Sequence, residues 1–305
     1  MKSITSKKAA HALPSLRADV NKYTRGVCEL VVGSERFVGA AVLAASAANR
    51  MGAGYVKVYS CDAAASALHV VQPSSVVLPM QAYVNDFHAQ DERNPRATVV
   101  GCGMRNTAAE VKMTIDVLSY TAAPVLVDGG GLAALATPEG FAAVRNRFVE
   151  GYPTVITPHG GEAFRLMRWL AEKPETVRDP DRCSPNETAL ALADAFGAIC
   201  VLKGPDTFIA SGDETAPEEV TVMLQGTPAL AKAGTGDILA GCIGALLAQG
   251  VDAFDACMAG TFVHARAGML AAVDHDEFCV TAEDVLGHLA PAVGSLLRKV
   301  RKEEG

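Results

Sequence analysis

The sequence predicts an α/β fold, a mostly parallel central sheet with helices on both faces. Three observations predict it. Short β-branched runs alternate with longer Ala- and Leu-rich segments through most of the chain. Half of the 305 residues are hydrophobic, enough to bury a sizeable core. No linker of any length interrupts the pattern, so one large domain is expected rather than two.

Strands are expected at 29–32, 55–59, 75–78, 98–101, 124–127, 154–156, 198–202 and 207–210, each a short run of apolar and β-branched residues. Between them, helices are expected at 39–51, 108–120, 137–148, 161–171 and 186–196. One more strand at 219–224 precedes three helices at 237–249, 254–273 and 282–300. The polar stretches 88–96, 172–187 and 211–219 read as surface loops.

Composition removes several function classes. Lys and Arg number 27 against 34 Asp and Glu, a net charge of −7. Sequence-independent nucleic-acid binding needs a dense basic face, which this balance does not supply. No run of 18 uninterrupted apolar residues occurs, so no membrane span is expected. The polar start lacks a signal peptide's apolar core, which points to a cytoplasmic protein. None of the eight cysteines lies two residues from another, so the paired spacing of zinc and redox motifs is missing. Reduced, buried thiols are the expectation.

Four clusters carry possible chemistry. The first is Gly234-Thr235-Gly236-Asp237, which opens an apolar helix. Glycines there let backbone N–H groups gather at an electropositive helix end, a cradle for phosphate or a developing oxyanion. Asp237 is then either a reactive carboxylate or merely a cap on that helix. The second cluster, Lys203-Gly204-Pro205-Asp206-Thr207, reads as the turn of a β-hairpin. Lys203 and Thr207 either face a nucleotide phosphate or belong to an ordinary exposed turn. The third, Thr157-Pro158-His159-Gly160-Gly161-Glu162, follows a strand and opens a helix, where open α/β sheets bind ligands. His159 reads as a substrate contact, and Glu162 as a helix N-terminal carboxylate.

The fourth signal is a pair of glycine-rich strand ends, Gly101-Cys102-Gly103 and Asp128-Gly129-Gly130-Gly131. Gly129, Gly131 and Ala134 loosely match a dinucleotide-binding fingerprint, but in mid-chain and without its usual context. No Gly-Lys pair occurs, so no P-loop is present.

In this order the clusters resemble the ADP/ATP-dependent NAD(P)H-hydrate dehydratases of the ribokinase-like superfamily. The resemblance runs from Asn21-Lys22 through Val32-Gly33-Ser34, Gly39-Ala40-Ala41, Arg50-Met51-Gly52-Ala53-Gly54 and the clusters above, over about residues 20 to 290. It implies a three-layer α/β/α ribokinase-like domain at 21–300, behind an N-terminal extension at 1–20 and ahead of a polar tail at 301–305. It also implies dehydration of the S-form of NADH or NADPH hydrate, with ADP or ATP as phosphoryl donor and Mg²⁺ offsetting its charge.

The roles it implies are as follows. Asp237 is the base. Gly234, Thr235 and Gly236 hold the transferred phosphoryl group, and Lys203, Gly204, Pro205, Asp206 and Thr207 bind the nucleotide. Gly39, Ala40, Gly103 and His159 line the hydrate pocket with Asp237. Asp128 and Glu162 are the candidate metal ligands, although the nucleotide phosphates are expected to carry most of the Mg²⁺. A homotetramer and a separate epimerase in the same pathway are further implications.

Two departures stand out. The family pattern Asp-Ala-Asp is Asp128-Gly129-Gly130 here, so the second carboxylate is missing, and Thr227 replaces a usual Asn. A kinase of a small hydroxymethyl compound (hydroxyethylthiazole, hydroxymethylpyrimidine or pyridoxal) fits the same phosphate motif. A non-catalytic nucleotide-binding protein is the remaining alternative.

Overall fold

The computed structural model describes residues 2–15, 19–86, 94–172, 181–212, 220–224 and 226–303. Most of the three expected polar loops therefore lies outside the described residues. The chain opens with β1 (Lys2–Ser3), α1 (Ser6–His11), β2 (Val27–Val31), α2 (Val38–Arg50), β3 (Tyr55–Ser60) and α3 (Asp62–Val71). It continues through β4 (Val76–Pro79), α4 (Ala82–Asp86), β5 (Arg96–Val100), α5 (Ala108–Tyr120), β6 (Val125–Val127), α6 (Leu132–Leu135) and α7 (Pro138–Val149). Next come β7 (Thr154–Ile156), α8 (Gly160–Ala171), α9 (Pro185–Phe196), β8 (Ile199–Leu202), β9 (Thr207–Ser211) and β10 (Thr221–Met223). Three helices close the chain: α10 (Thr235–Ala248), α11 (Ala253–His275) and α12 (Ala282–Glu303).

The ten strands form one sheet in the order β1-β10-β9-β8-β7-β6-β5-β2-β3-β4. All pairings are parallel except those of β9 with β8 and β10. Side chains alternate between two buried layers, as the period of a strand requires. Cys28, Leu30, Val99, Leu126, Val155 and Val201 face one layer, beneath α2, α10, α11 and α12. Val31, Val100, Val127, Ile156 and Cys200 face the other, with α5, α7, α8 and α9. The expected three-layer arrangement is what the chain adopts.

Four helices escaped the sequence reading. The Ala-rich α3 buries only Ala64 and Leu68. The short α1, α4 and α6 lack enough turns to show a period. The region expected as an extension forms β1 and α1 and buries Ile4, Ala9 and Ala10 in the main core. At the other end α12 runs on to Glu303, three residues into the expected tail. All eight thiols are free, and five are buried, whereas Cys279 is exposed. Helix α11 is long and apolar enough to cross a membrane, but most of its apolar window is buried inside the fold.

The order of strands reverses between β2 and β5. From β2 the chain winds outward to β3 and β4, then returns to place β5 on the other side. Ligands bind outside the carboxyl ends of strands at such a switch point. Helix α10 lies over this region because small residues let it come close. A Cβ on Gly241 would meet Ala44 O of α2 at 2.3 Å, and one on Gly244 would meet Val99 Cγ2 of β5 at 2.2 Å. Gly241→Ala is therefore expected to lower stability by about 1–3 kcal/mol through overpacking, read as a lower urea midpoint.

Candidate active site

Four loops converge at the carboxyl ends of the central strands. After β5, Gly101–Met104 turns back toward β2: Gly33 N–H donates to Cys102 O (2.7 Å) and Ser34 Oγ to Gly103 O (2.7 Å). After β6, Asp128 leads into the glycine turn 129–131, whose Gly130 N–H donates to Gly101 O (3.2 Å). After β7, Pro158 O accepts from Lys203 N (2.8 Å), which seats the hairpin of β8 and β9 beside it. The N-terminus of α10 completes the ring.

That N-terminus begins at Gly234 with φ +93°, a left-handed conformation that glycine adopts without strain. The Thr235 hydroxyl donates to Leu230 O (2.8 Å) and Lys232 O (2.9 Å), tying the preceding turn to the helix. Beneath it, the buried His264 ring of α11 hydrogen-bonds the Thr235 backbone, and burial lowers its pKa to about 4. The ring is therefore neutral near pH 7. Asp237 is the third residue of α10, and among the described residues no backbone N–H donates to its carboxylate. It is not acting as a cap.

Asp237 stands instead in a charged cluster. Its carboxylate, Cys102 Sγ and an Asp128 oxygen lie within 4.8 Å of one another. Asp128 is buried, and its Oδ1 accepts from Lys203 Nζ (2.6 Å) and Thr157 Oγ1 (2.6 Å). Its Oδ2 faces the Cys102 thiol at 3.6 Å. Burial raises the Asp237 pKa to about 7, and the nearby Asp128 charge pushes the same way. The Lys203 ammonium and the Cys102 hydrogen bond oppose the rise without cancelling it. Burial also drives the Cys102 thiol well above its usual range, followed by the charges of Asp128 and Asp237. That sulfur is protonated and unreactive.

A cleft of about 830 Å³ opens over this cluster. Gly39, Ala40, Gly103, His159, Glu162, Gly234 and Asp237 line it, so these expected residues do come together. Lys203 reaches the site from behind, with its Nζ 3.4 Å from where a Cβ on Gly236 would stand. It is neither an exposed turn lysine nor a free cation, since Asp128 holds it. Gly204, Pro205, Asp206 and Thr207 belong to the adjoining hairpin turn, outside the lining of the cleft.

His159 has a second task. Its Nδ1 accepts from Gly161 N (3.0 Å) and Glu162 N (3.4 Å), while Glu162 Oε2 accepts from His159 N (2.8 Å). This reciprocal cap occupies Glu162, as its helix-end reading expects, and the His159 ring lines the cleft with its Nε2 3.5 Å from Glu162 Oε1. Asp128 and Glu162 are both engaged within the protein, so among the described residues the site offers no all-oxygen cage for a hard cation. Mg²⁺ fits here only when substrate phosphates supply most of its ligands.

Sequence reasoning missed Cys102, and also the rim residues Arg36, Phe37 and Arg165. The missing second carboxylate has a steric counterpart. A Cβ at Gly130 would meet Met104 O at 2.1 Å, so the turn holds no side chain there without a backbone shift. The weak fingerprint at Gly129, Gly131 and Ala134 is this same turn packed on the 101–104 loop.

The raised pKa of Asp237 makes its ionisation a cost to folding that appears as pH rises from the ordinary carboxylate range through about 7. Asp237→Asn is therefore expected to melt at a higher temperature than the wild type at pH 8. The gap should narrow as pH falls through about 7, where the wild-type carboxyl takes up its proton. Differential scanning calorimetry across pH 5–8 measures it.

The family model described as NAD(P)H-hydrate dehydratase matches residues 28–290. The ADP-dependent (S)-NAD(P)H-hydrate dehydratase of Neisseria meningitidis is 32% identical over 300 residues, covering 98% of this chain and 94% of that protein. The Bacillus subtilis ADP/ATP-dependent NAD(P)H-hydrate dehydratase co-crystallized with ATP and Mg²⁺ superposes with a TM-score of 0.78 at 26% identity, covering 97% and 98% of the two chains. A ribokinase-like superfamily protein of Enterococcus faecalis shares the fold, with a TM-score of 0.76 at 20% identity over 97% of this chain and 96% of that one. The chain spans about half the length, 53%, of a bifunctional NAD(P)H-hydrate repair enzyme that it also matches, from Thermofilum pendens. With the match running across the central sheet and the cleft above it, the chain belongs to the NAD(P)H-hydrate dehydratase family.

Proposed function

We propose that this chain dehydrates the S-form of NADH or NADPH hydrate with ADP or ATP as phosphoryl donor. The observation that carries this reading is Asp237, a carboxylate with a raised pKa at the mouth of a glycine-rich helix N-terminus, facing a cleft of about 830 Å³. A base poised near neutrality suits removal of a hydroxyl proton.

Hydroxide is a poor leaving group from C6 of the hydrated ring. Asp237 accepts the hydroxyl proton as the C6 oxygen attacks the terminal phosphorus of the nucleotide, whose bond to its leaving phosphate breaks. The backbone N–H groups around Gly234, Thr235 and Gly236 receive the transferring phosphoryl group. Mg²⁺ accompanies the nucleotide and offsets phosphate charge. The ring nitrogen's lone pair then expels phosphate from C6, and transfer of a C5 proton to the departing phosphate or to solvent restores the C5–C6 double bond.

Gly39, Ala40, Gly103 and His159 form the hydrate side of the cleft, and the hairpin from Lys203 to Thr207, which adjoins the cleft, binds the nucleotide. The reading brings with it a cytoplasmic homotetramer and an epimerase acting as a separate protein. A small-molecule kinase would keep the same base but release a stable phosphate ester.

The deciding measurement follows NADH absorbance after protein is added to NADH hydrate with Mg²⁺ and either ADP or ATP. Nucleotide-dependent recovery of NADH is expected, whereas folded protein that binds nucleotide and restores none would refute the reading. Activity is expected to rise with pH through about 7, and Asp237→Asn to lower turnover about 10²–10⁴-fold. Lys203→Met removes a charge that holds the base ionised, so the acidic limb of the pH profile should move to higher pH.

A further inference from the structure

Two guanidinium groups on the rim of the cleft have no role in the chemistry above. Arg36 stands in the exposed turn between β2 and α2, and Arg165 on the second turn of α8. Among the described residues neither has an acidic partner within ion-pair distance. For Arg165 this has a local cause. Glu162, three residues earlier on the same helix face, would be its ordinary partner, but that carboxylate is turned inward and holds the His159 N–H at 2.8 Å. Arg36 lies with its guanidinium 5.6 Å from the Phe37 ring centroid, and Phe37 is itself 44% exposed on the rim. Stacking of that kind covers the flat face of a guanidinium and leaves its N–H edge free for an anion.

The cleft is thus polarised. Its inner end carries the Asp237 carboxylate among Gly39, Gly103 and Gly130, and its mouth carries two unpaired cations. A ligand that matches places a hydroxyl-bearing neutral ring inside and a multiply charged anion at the mouth. We infer that Arg36 and Arg165 bind the diphosphate of the nicotinamide dinucleotide, one ribose away from the ring that reacts at Asp237. The assignment rests on the proposed dehydration in naming the dinucleotide. It adds a charge-based anchor that both NADH and NADPH hydrates share.

Such an anchor is equally engaged before and during the reaction, so it governs KM and leaves kcat near its wild-type value. The test uses the whole chain and begins with NADH, which retains the diphosphate and needs no turnover. Fluorescence titration should show NADH binding weakened about 5–30-fold in Arg36→Ala and in Arg165→Ala, and more in Arg36→Glu. Added salt should shrink the difference between wild type and variants. In turnover, KM should rise by the same factor for NADH hydrate and NADPH hydrate. Unchanged NADH affinity in both alanine variants would overturn the inference, as would a loss confined to NADPH and its hydrate, which would assign the pair to the 2′-phosphate. A protein that binds NADH through this pair but dehydrates nothing would refute the activity and leave the anchor standing.

Discussion

The close seating of α10 on α2 and β5 governs the rest of the molecule. A helix N-terminus can act on a ligand only if it stands beside the strand ends that hold the other groups. Here the helix reaches that place because Gly241 and Gly244 present no side chain to Ala44 and Val99. Nearly every residue from Ile238 to Ala248 is buried, so the helix has no loose face on which to slide. Asp237 inherits its position from this packing, and its burial is the largest cause of its raised pKa. Fold and reactivity share one origin.

The charges around Asp237 form a balance rather than a simple pair. Asp128 repels it, Lys203 attracts it, and the Cys102 thiol donates toward the carboxylates between them. Lys203 is held at 2.6 Å by Asp128, which is itself fixed by Thr157. The ammonium therefore acts on Asp237 from a set position instead of swinging to meet it. An ion pair this well buried keeps its geometry only while every member is satisfied.

Much of this was legible in the sequence, for physical reasons that differ from element to element. Buried parallel strands are apolar on both faces, so β7 and β8 were readable as short runs whatever their neighbours. Gly234–Asp237 was readable because phosphate chemistry at a helix end needs those residue types in that order. The Cys102–Asp128–Lys203 cluster was not, because three separate loops bring it together and each member has an ordinary local explanation. His159 and Glu162 were individually visible, yet their reciprocal cap, and the arginine it leaves unpaired, needed coordinates.

The sheet's outer edge has a consequence for how the chain is made. Lys2 and Ser3 pair with Thr221 and Val222, and α1 packs on α11 and α12. During synthesis β1 and α1 must wait until β10, α11 and α12 have emerged before they find their partners. Until then β1 has no neighbour, and an unpaired strand edge is a template for association with other chains. Residues 2–3 therefore act as a late closing strip, and the vulnerable interval in this protein's life is the stretch of synthesis between β1 and β10.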